Sequence, residues 1–212
     1  RYYLGKNKEA VAFLRDFMNQ HTHDFIYLWG QTGSGKSHLA QACCHHATES
    51  NNASFYLSCD PRSTHFTILS NIESYHLTCL DNINQYVGDA EWEEQLFYLY
   101  NNIKEKKHKL IVTASCPPAQ LPCRLQDLKS RLSSGLTFHL QSLSDDEKAQ
   151  ALMLRAEFRG FKLSQEAADY IIHRSPRDLH SLFNCLDTLD EASLAQKRRL
   201  TIPFIKSILF EP

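Results

Sequence analysis

A glycine-rich stretch of eight residues lies between an apolar run and a helical pattern. It reads GQTGSGKS over residues 30–37 and fits the spacing G-x-x-x-x-G-K-[ST] of a phosphate-binding loop. Residues 25–29 before it are apolar and typical of a strand, whereas residues 37–49 after it contain neither Gly nor Pro. Strand, glycine turn and helix form the context that such a loop requires. The stretch therefore predicts a site for a nucleoside di- or triphosphate, and a Gly-rich surface turn is the alternative.

The residue types of this loop suit separate parts of phosphate recognition. Glycines let the backbone N–H groups turn towards phosphate oxygens, and a helix N-terminus adds partial positive charge. Lys36 supplies a point charge, and Ser37 is a candidate ligand for Mg²⁺. The residues expected to contact the nucleotide here are Gln31, Thr32, Gly33, Ser34, Gly35, Lys36, Ser37 and His38.

A carboxylate at the end of a neighbouring strand is expected to complete the Mg²⁺ site. Asp81 directly follows the apolar run 76–80 and is the strongest candidate, and Asp60, which also trails a predicted strand, is the second. The residue after Asp81 is Asn82, whose amide can bind water but cannot take its proton. Because a missing general base costs about 10²–10⁴-fold in rate, we expect weak or no hydrolysis by the isolated chain.

Composition limits the class of protein. The chain has 212 residues, of which 42% are hydrophobic, with 23 Lys and Arg against 24 Asp and Glu. Near-neutral charge gives no sign of strong DNA binding, and no apolar run has the length of a membrane span. The seven Cys form no C-x-x-C pair, and adjacent His45 and His46 lack zinc-site spacing. We expect reduced thiols, a cytosolic protein without a secretion leader, and a further N-terminal segment upstream of Arg1.

Strand and helix signals alternate in the first two thirds of the chain and only helix signals follow. A weak helix is predicted at 64–74, and a strong one after Gly88 with Trp92, Leu96, Leu99 and Ile103 on one face. The predicted strands are 25–29, 54–58, 76–80, 110–113 and 136–140. Helices are predicted to begin at Ser144, with a capping box to Glu147, and at Ser164, Ser175 and Thr201. The fold expected is α/β, a parallel five-stranded sheet flanked by helices in residues 1–142, with a small all-helical domain in 143–212.

Several motifs together resemble the DnaA branch of the AAA+ proteins. They are the phosphate loop and the stretches LTCLDNI (77–83), IVTASCPP (111–118), LKSRL (128–132) and PRDL (176–179). The resemblance runs from about Gly5 to Leu209 and is strongest to the members of that branch that inactivate the replication initiator. It implies a P-loop AAA+ core with a helical lid domain, and it ends where the initiator's DNA-binding helix-turn-helix would begin.

The resemblance also implies roles for residues outside the loop. Arg131 matches the arginine finger, which acts on a nucleotide bound to a neighbouring subunit; a surface arginine paired with Asp127 is the alternative. Arg177 matches the second sensor, an arginine in the first turn of a lid helix, and an exposed solubilising arginine is its alternative. Ser115 falls at the first sensor position, where relatives often have Asp followed by Arg, and a plain loop serine is equally compatible.

The same resemblance assigns the start of the chain to the adenine. The residues concerned are Tyr2, Tyr3, Leu4, Gly5 and Asn7. Aromatic residues near a chain start also cover the edge of a core, so both interpretations stay open.

The resemblance implies a regulator that binds ADP or ATP with Mg²⁺. It would promote hydrolysis of ATP bound to DnaA, inactivate that initiator and prevent re-initiation, while tethered to the DNA polymerase sliding clamp through a motif upstream of Arg1. A homodimer or higher homo-oligomer is compatible with it. The alternatives are an autonomous ATPase of the helicase-loader type, which Asn82 opposes, and an origin-binding DnaA paralogue, which the near-neutral charge opposes.

Overall fold

A computed structural model of the chain describes residues 5–19, 24–59, 65–176 and 178–210. The chain divides into two compact units, one of residues 7–141 and one that contains Gly5, Lys6 and the residues from Ser142 onwards.

The first unit is built on a sheet of five parallel strands in the spatial order β2-β3-β4-β1-β5. The strands are β1 (Phe25–Trp29), β2 (Ser54–Ser58), β3 (Leu77–Asp81), β4 (Lys109–Ala114) and β5 (Leu136–His139). β3 and β4 are buried along their whole length, as expected for parallel strands covered on both faces. The predicted α/β class and parallel five-stranded sheet are confirmed.

The register brings the carboxyl ends of the strands to one edge of the sheet. Trp29, the last residue of β1, lies opposite Ala114 of β4, and Ser58 of β2 lies opposite Asp81 of β3. The segments that follow β1, β3 and β4 therefore leave the sheet at the same edge, which is where parallel α/β proteins bind ligands.

In the described part of this unit four α-helices cover the sheet: α1 (Lys8–Asn19), α2 (Lys36–Glu49), α3 (Ala90–Glu105) and α4 (Gln126–Ser133). Asp89 caps α3, since its Oδ1 accepts the N–H groups of Glu91 and Trp92. The predicted apolar stripe of α3 is buried: Trp92, Leu96, Leu99 and Ile103 all lie in the core beneath the sheet.

A buried lysine holds the end of α1. The Nζ of Lys109, on β4, donates to the carbonyl oxygens of Phe17 and Met18, the latter at 3.0 Å. A cation at a helix C-terminus complements the helix dipole. Burial lowers the pKa of Lys109, and Asp24 acts in the opposite direction.

The second unit is helical, with α5 (Asp145–Phe158), α6 (Gln165–Arg174), α7 (Leu179–Gln196) and α8 (Ile202–Leu209). Its core includes Leu152, Ile171, Leu182, Leu186 and Ile205. The predicted capping box is present: the Glu147 N–H donates to Ser144 Oγ at 3.2 Å, and the Ser144 N–H donates to Glu147 Oε2 at 2.8 Å.

The helix predicted to begin after Ser175 begins three residues later than expected. Ser175 ends α6, where its N–H donates to the carbonyl of Ile171. Asp178 caps α7 instead, with its Oδ1 accepting the Ser181 N–H at 2.9 Å. Both residue types cap helices, but an aspartate adds negative charge at the positive end of the helix dipole.

The weak helix predicted at 64–74 was wrong in type. Its described part forms two short 3-10 helices, Phe66–Leu69 and Ile72–Ser74. Between them Asn71 adopts a left-handed conformation with φ 68°, which an α-helix cannot contain.

Two absences hold for the described residues. None of their helices combines the length and apolar character needed to cross a membrane. No group of three or more His, Cys, Asp or Glu side chains among them is arranged to hold a metal ion. All seven cysteines are free thiols, as the sequence predicts.

Candidate functional site

The glycine loop connects β1 to α2 and depends on glycine at three positions. Gly33 and Gly35 have φ values of 80° and 91°, a region that L side chains rarely adopt. A Cβ on Gly30 would lie 2.3 Å from the carbonyl oxygen of Leu140. The backbone therefore curves tightly between strand and helix, as a phosphate-binding loop must.

The ammonium group of Lys36 lies inside this curve. Its Nζ donates to the carbonyl oxygens of Gly30 at 2.8 Å and Gln31 at 2.9 Å. Burial lowers the pKa of Lys36, and the negative charge of Asp81 partly opposes that shift. Phosphate oxygens would offer this cation stronger acceptors than neutral carbonyls do.

Two further features of the loop fit a ligand with several acceptor oxygens. The N-cap residue of α2 is Gly35, so no side chain caps the first turn, which includes Lys36 and Ser37. The Oγ of Ser34 is buried and has no hydrogen-bond partner in the described part of the chain. Of the other predicted contacts, Gly33 is half-buried, whereas Gln31, Thr32, Ser37 and His38 are exposed.

Asp81 ends β3 with both carboxylate oxygens held by hydroxyl groups. Tyr56 donates to Oδ2 at 2.8 Å, and Thr113 donates to Oδ1 at 2.5 Å. The Tyr56 hydroxyl also interacts with the Ser37 side chain, so the two predicted Mg²⁺ ligands meet at this phenol. Burial and the charge of Asp81 raise the pKa of Tyr56, which keeps it protonated as a donor. Hydroxyl and carboxylate oxygens are suitable ligands for Mg²⁺.

The segment after β3 is tied to the end of β4. Asn82 has a left-handed backbone with φ 69°, and its N–H donates to Thr113 Oγ1 at 2.9 Å. Asn84 Oδ1 accepts the backbone N–H of Ser115 at 2.9 Å. Asn82 and Ser115 therefore lie at the edge of the sheet that carries the loop and Asp81.

Arg131 lies on the exposed side of α4. Leu128 and Leu132 of this helix are buried in the core, which turns Arg131 towards solvent. Within the described residues its side chain makes no hydrogen bond or ion pair, neither with Asp127 nor with the glycine loop. The structure thus does not join Arg131 to the loop of its own chain.

Some predicted site residues lie outside the described residues: Tyr2, Tyr3, Leu4, Asp60 and Arg177. Asn7 is described and is buried. Its Nδ2 donates to the carbonyl of Gln141 at 2.9 Å, and its Oδ1 accepts the Gln141 N–H at 2.8 Å. Both polar groups of the Asn7 side chain therefore bind the segment that leaves β5.

Three residues that contribute to this edge were not among the sequence-based candidates: Tyr56, Thr113 and Asn84. The sequence signal that could have found two of them is their position on the predicted strands. Thr113 lies near the end of a predicted strand, and Tyr56 lies two residues before Ser58, on the same face of β2 as the residue paired with Asp81.

The site and fold together define a class. A glycine loop after β1, a carboxylate at the end of the next-but-one strand in the sheet, and a helical unit later in the chain form the AAA+ fold.

Family models refine that class. The model of the bacterial DnaA ATPase domain matches residues 5–139, and the chain belongs to this family. Residues 145–209 match the model of the Hda lid domain, so the helical unit is similar to that lid.

Solved structures agree in fold at low identity. Domain III of the Thermotoga maritima replication initiation protein DnaA is 15% identical, with a TM-score of 0.78 over 96% of this chain and 90% of that one. AMPPCP-bound DnaA from Aquifex aeolicus is 18% identical, with a TM-score of 0.72 over 91% and 66%. The RuvB Holliday junction branch migration motor of Thermotoga maritima is 17% identical, with a TM-score of 0.67 over 95% and 67%. A structure described as a DNA replication initiation factor is matched over only 64% of its length.

Proposed function

We propose that the chain binds ADP or ATP with Mg²⁺ at the glycine loop. The position of the Lys36 ammonium, the uncapped first turn of α2 and the unpartnered Ser34 hydroxyl support this. The relative from Aquifex aeolicus binds the adenine nucleotide analogue AMPPCP, which supports the choice of base.

Each residue at this edge of the sheet has a proposed role in binding the nucleotide or Mg²⁺. Lys36 and the N–H groups of the first turn of α2 hold phosphate oxygens. Ser37 and Asp81 hold Mg²⁺, which supplies charge neutralisation at the phosphates when bound. Tyr56 and Thr113 keep the Asp81 carboxylate oriented. Tyr3, Leu4 and Arg177 remain proposed contacts of the adenine and the phosphates.

Hydrolysis by the chain alone is expected to be slow. Asn82 follows Asp81, and its amide cannot accept a proton from water. Ser115, the proposed first sensor, offers a hydroxyl in place of a charged or longer side chain. In this proposal the chain holds its nucleotide and acts on a partner rather than on a substrate of its own.

The proposed activity is regulation of a DnaA-type initiator by an arginine supplied from outside. Arg131 is the observation that carries it, because this cation is exposed on a packed helix and makes no bond within the described chain. A guanidinium placed beside the γ-phosphate of a neighbouring ATP stabilises the transferring group and accelerates hydrolysis about 10³–10⁵-fold. ATP on the initiator would then be converted to ADP, which inactivates it.

The cellular setting of this proposal is the bacterial cytosol, with the DNA-loaded sliding clamp as a second partner, and a homodimer or higher homo-oligomer of the chain is compatible with it. The lid's match to the Hda lid domain supports a regulatory member of the family.

The test is the rate of ATP hydrolysis by a purified DnaA–ATP complex with clamp-loaded DNA. The full-length protein should accelerate it, and Arg131→Ala should abolish the acceleration while ADP binding is retained. Arg131→Lys should rescue poorly, because an ammonium cannot make the planar two-point contact. Arg124→Ala, in the loop before α4, is the matched control. Normal acceleration by Arg131→Ala would eliminate Arg131 as the finger and make Arg124 the next candidate.

Two simpler assays separate the alternatives. Turnover by the isolated protein should lie far below the typical enzyme value of about 10 s⁻¹, and robust turnover would favour an autonomous ATPase. Asn82→Glu should raise turnover if the missing base is the limiting defect. Strong, salt-dependent DNA binding would instead favour an origin-binding paralogue.

A further inference from the structure

A buried carboxylate on α3 binds backbone groups from two loops. Glu93 is 1% exposed, and no salt bridge to it occurs among the described residues. Its Oε1 accepts the Gly88 N–H at 2.7 Å and the Arg124 N–H at 3.1 Å. Its Oε2 accepts the N–H groups of Arg124 at 3.0 Å and Leu125 at 2.7 Å. A charge this deeply buried is stable only when its lone pairs are satisfied, as they are here.

One of these two loops follows Asp81, and the other leads into α4, the helix that carries Arg131. Gly88 ends the segment that follows Asp81, the same segment in which Asn84 binds the N–H of Ser115. Arg124 and Leu125 immediately precede α4, and Leu125 gives this helix no side-chain cap. The chain therefore enters α4 at a direction set by Glu93, and the negative charge favours the positive end of the helix dipole.

The far end of α4 is also held by α3. The Tyr100 hydroxyl and the Ser134 hydroxyl are 3.2 Å apart, just beyond the last residue of the helix. Between these two attachments Leu128 and Leu132 pack into the core. Arg131 thus projects from a short helix that is attached at both ends, with Glu93 as the charged attachment.

We propose that Glu93 is a positioning residue for Arg131. Glu93 binds Gly88 on one side and the backbone that immediately precedes α4 on the other. It therefore fixes α4, which carries Arg131, relative to the loop that leaves β3. This inference rests on the proposed role of Arg131 and adds to it the residue that orients the finger. A misplacement of about 1 Å at a catalytic group can cost about 10²-fold in rate, so the orientation of α4 decides whether the finger works.

The carboxylate form of the side chain is essential to this proposal. All its neighbours are N–H donors, and a carboxylate is acceptor-only. In Glu93→Gln one oxygen becomes an amide NH₂ and faces donors, which breaks part of the attachment without removing volume. Glu94→Gln makes the same change one residue later on an exposed position and is the matched control.

The first measurement is amide hydrogen exchange on the complete protein with ADP bound. In the wild type the N–H groups of Gly88, Arg124 and Leu125 should be protected, although 124 and 125 lie outside any helix. Glu93→Gln should speed exchange over residues 123–132 by about ten-fold or more, whereas the glycine loop at 30–37 keeps its protection. Unprotected amides at 124 and 125 in the wild type would overturn the proposal even if Glu93→Gln does not fold.

The second measurement is stimulation of ATP hydrolysis on the initiator, taken well below the melting temperature of each variant. Glu93→Gln should lower the maximal stimulated rate about ten-fold or more with unchanged ADP affinity, and Glu94→Gln should match the wild type. Combined with Arg131→Ala, Glu93→Gln should cause no additional loss. Normal stimulation by Glu93→Gln would overturn the proposal. A wild type that stimulates nothing would refute the proposed function instead, and hydrogen exchange would still decide the role of Glu93.

Discussion

The carboxylate of Asp81 is held from two strands at once. Tyr56 reaches it from β2 and Thr113 from β4, so each carboxylate oxygen accepts one hydrogen bond from a neutral hydroxyl group. The two hydroxyl groups thereby fix the orientation of a carboxylate that is a proposed Mg²⁺ ligand. Loss of one hydroxyl should therefore affect metal-dependent binding more than the fold.

Tyr56→Phe tests this arrangement. Removing the hydroxyl leaves Asp81 Oδ2 without its donor, which costs about 1–3 kcal/mol for a buried group. We expect ADP affinity in the presence of Mg²⁺ to fall several-fold, with little change when Mg²⁺ is chelated. Titration calorimetry with and without Mg²⁺ measures both, and Tyr75→Phe is a control on a tyrosine away from Asp81. Equal losses under the two conditions would contradict a role at the metal.

Lys36 predicts a pH dependence of nucleotide binding. Burial lowers its pKa, so this lysine loses its charge at a lower pH than an exposed one. Phosphate binding needs the charged form, and therefore ADP affinity should decline as pH rises, starting at a lower pH than for a lysine with the ordinary pKa of 10.5. Lys36→Ala should bind ADP very weakly at every pH, and Lys104→Ala should behave as the wild type. Calorimetry that gives unchanged affinity for Lys36→Ala would refute the phosphate-loop assignment.

The sequence identified the residues of this edge whose spacing is local. Phosphate loops require glycines and a lysine at fixed separations, and Asp81 directly follows its strand, so both are visible in one dimension. Tyr56 binds Asp81, 25 residues away, and Glu93 binds the N–H groups of Arg124 and Leu125, 31 and 32 residues away. Their contacts depend on the register of β2 against β3 and on how α4 packs against α3, which no spacing rule contains.

At the scale of elements, some helix ends could be predicted from the sequence and others could not. Ser144 and Glu147 form the predicted capping box, because the two members are three residues apart and need no tertiary partner. Around 175–178 two cap residues compete, and Ser175 is used to end α6. Helix α1 was not predicted, although buried Ala10, Leu14 and Phe17 recur at helical spacing.

Asp178 and Ser175 give a direct comparison of the two candidate caps. Asp178→Ala removes the acceptor of the Ser181 N–H and should destabilise the helical unit by about 1 kcal/mol. Ser175→Ala should cost less, because its side chain contacts only the Cys185 thiol at 3.5 Å among the bonds described. Urea unfolding followed by circular dichroism measures both variants, and a larger loss for Ser175→Ala would contradict the helix start at Leu179.

At the scale of the whole molecule, buried thiols connect stability to alkaline pH. Burial raises the pKa of both Cys43 and Cys59 to about 12, from an ordinary value of 9.0. Above the unfolded value the unfolded chain loses these protons while the folded chain keeps them. The stability they contribute is therefore complete below pH 9 and is lost progressively as pH rises towards 12.

Unfolding measurements at alkaline pH test that conclusion. From pH 8 to about pH 10 the two thiols together should reduce the free energy of unfolding by about 3 kcal/mol. The double variant Cys43→Ala, Cys59→Ala should show a shallower decline, whatever its stability at neutral pH. An identical slope for the variant and the wild type would show that other groups cause the alkaline loss.

The stacked pair at the end of β1 gives the molecule an optical signal at its phosphate loop. The indole of Trp29 lies 3.9 Å from the imidazole of His139, nearly parallel to it, and the next residue along the chain is Gly30. The other tryptophan, Trp92, is buried against Tyr86 and is shielded from soluble quenchers. Fluorescence that a quencher removes therefore reports mainly Trp29, so binding of the proposed nucleotide is expected to be measurable in the unlabelled protein.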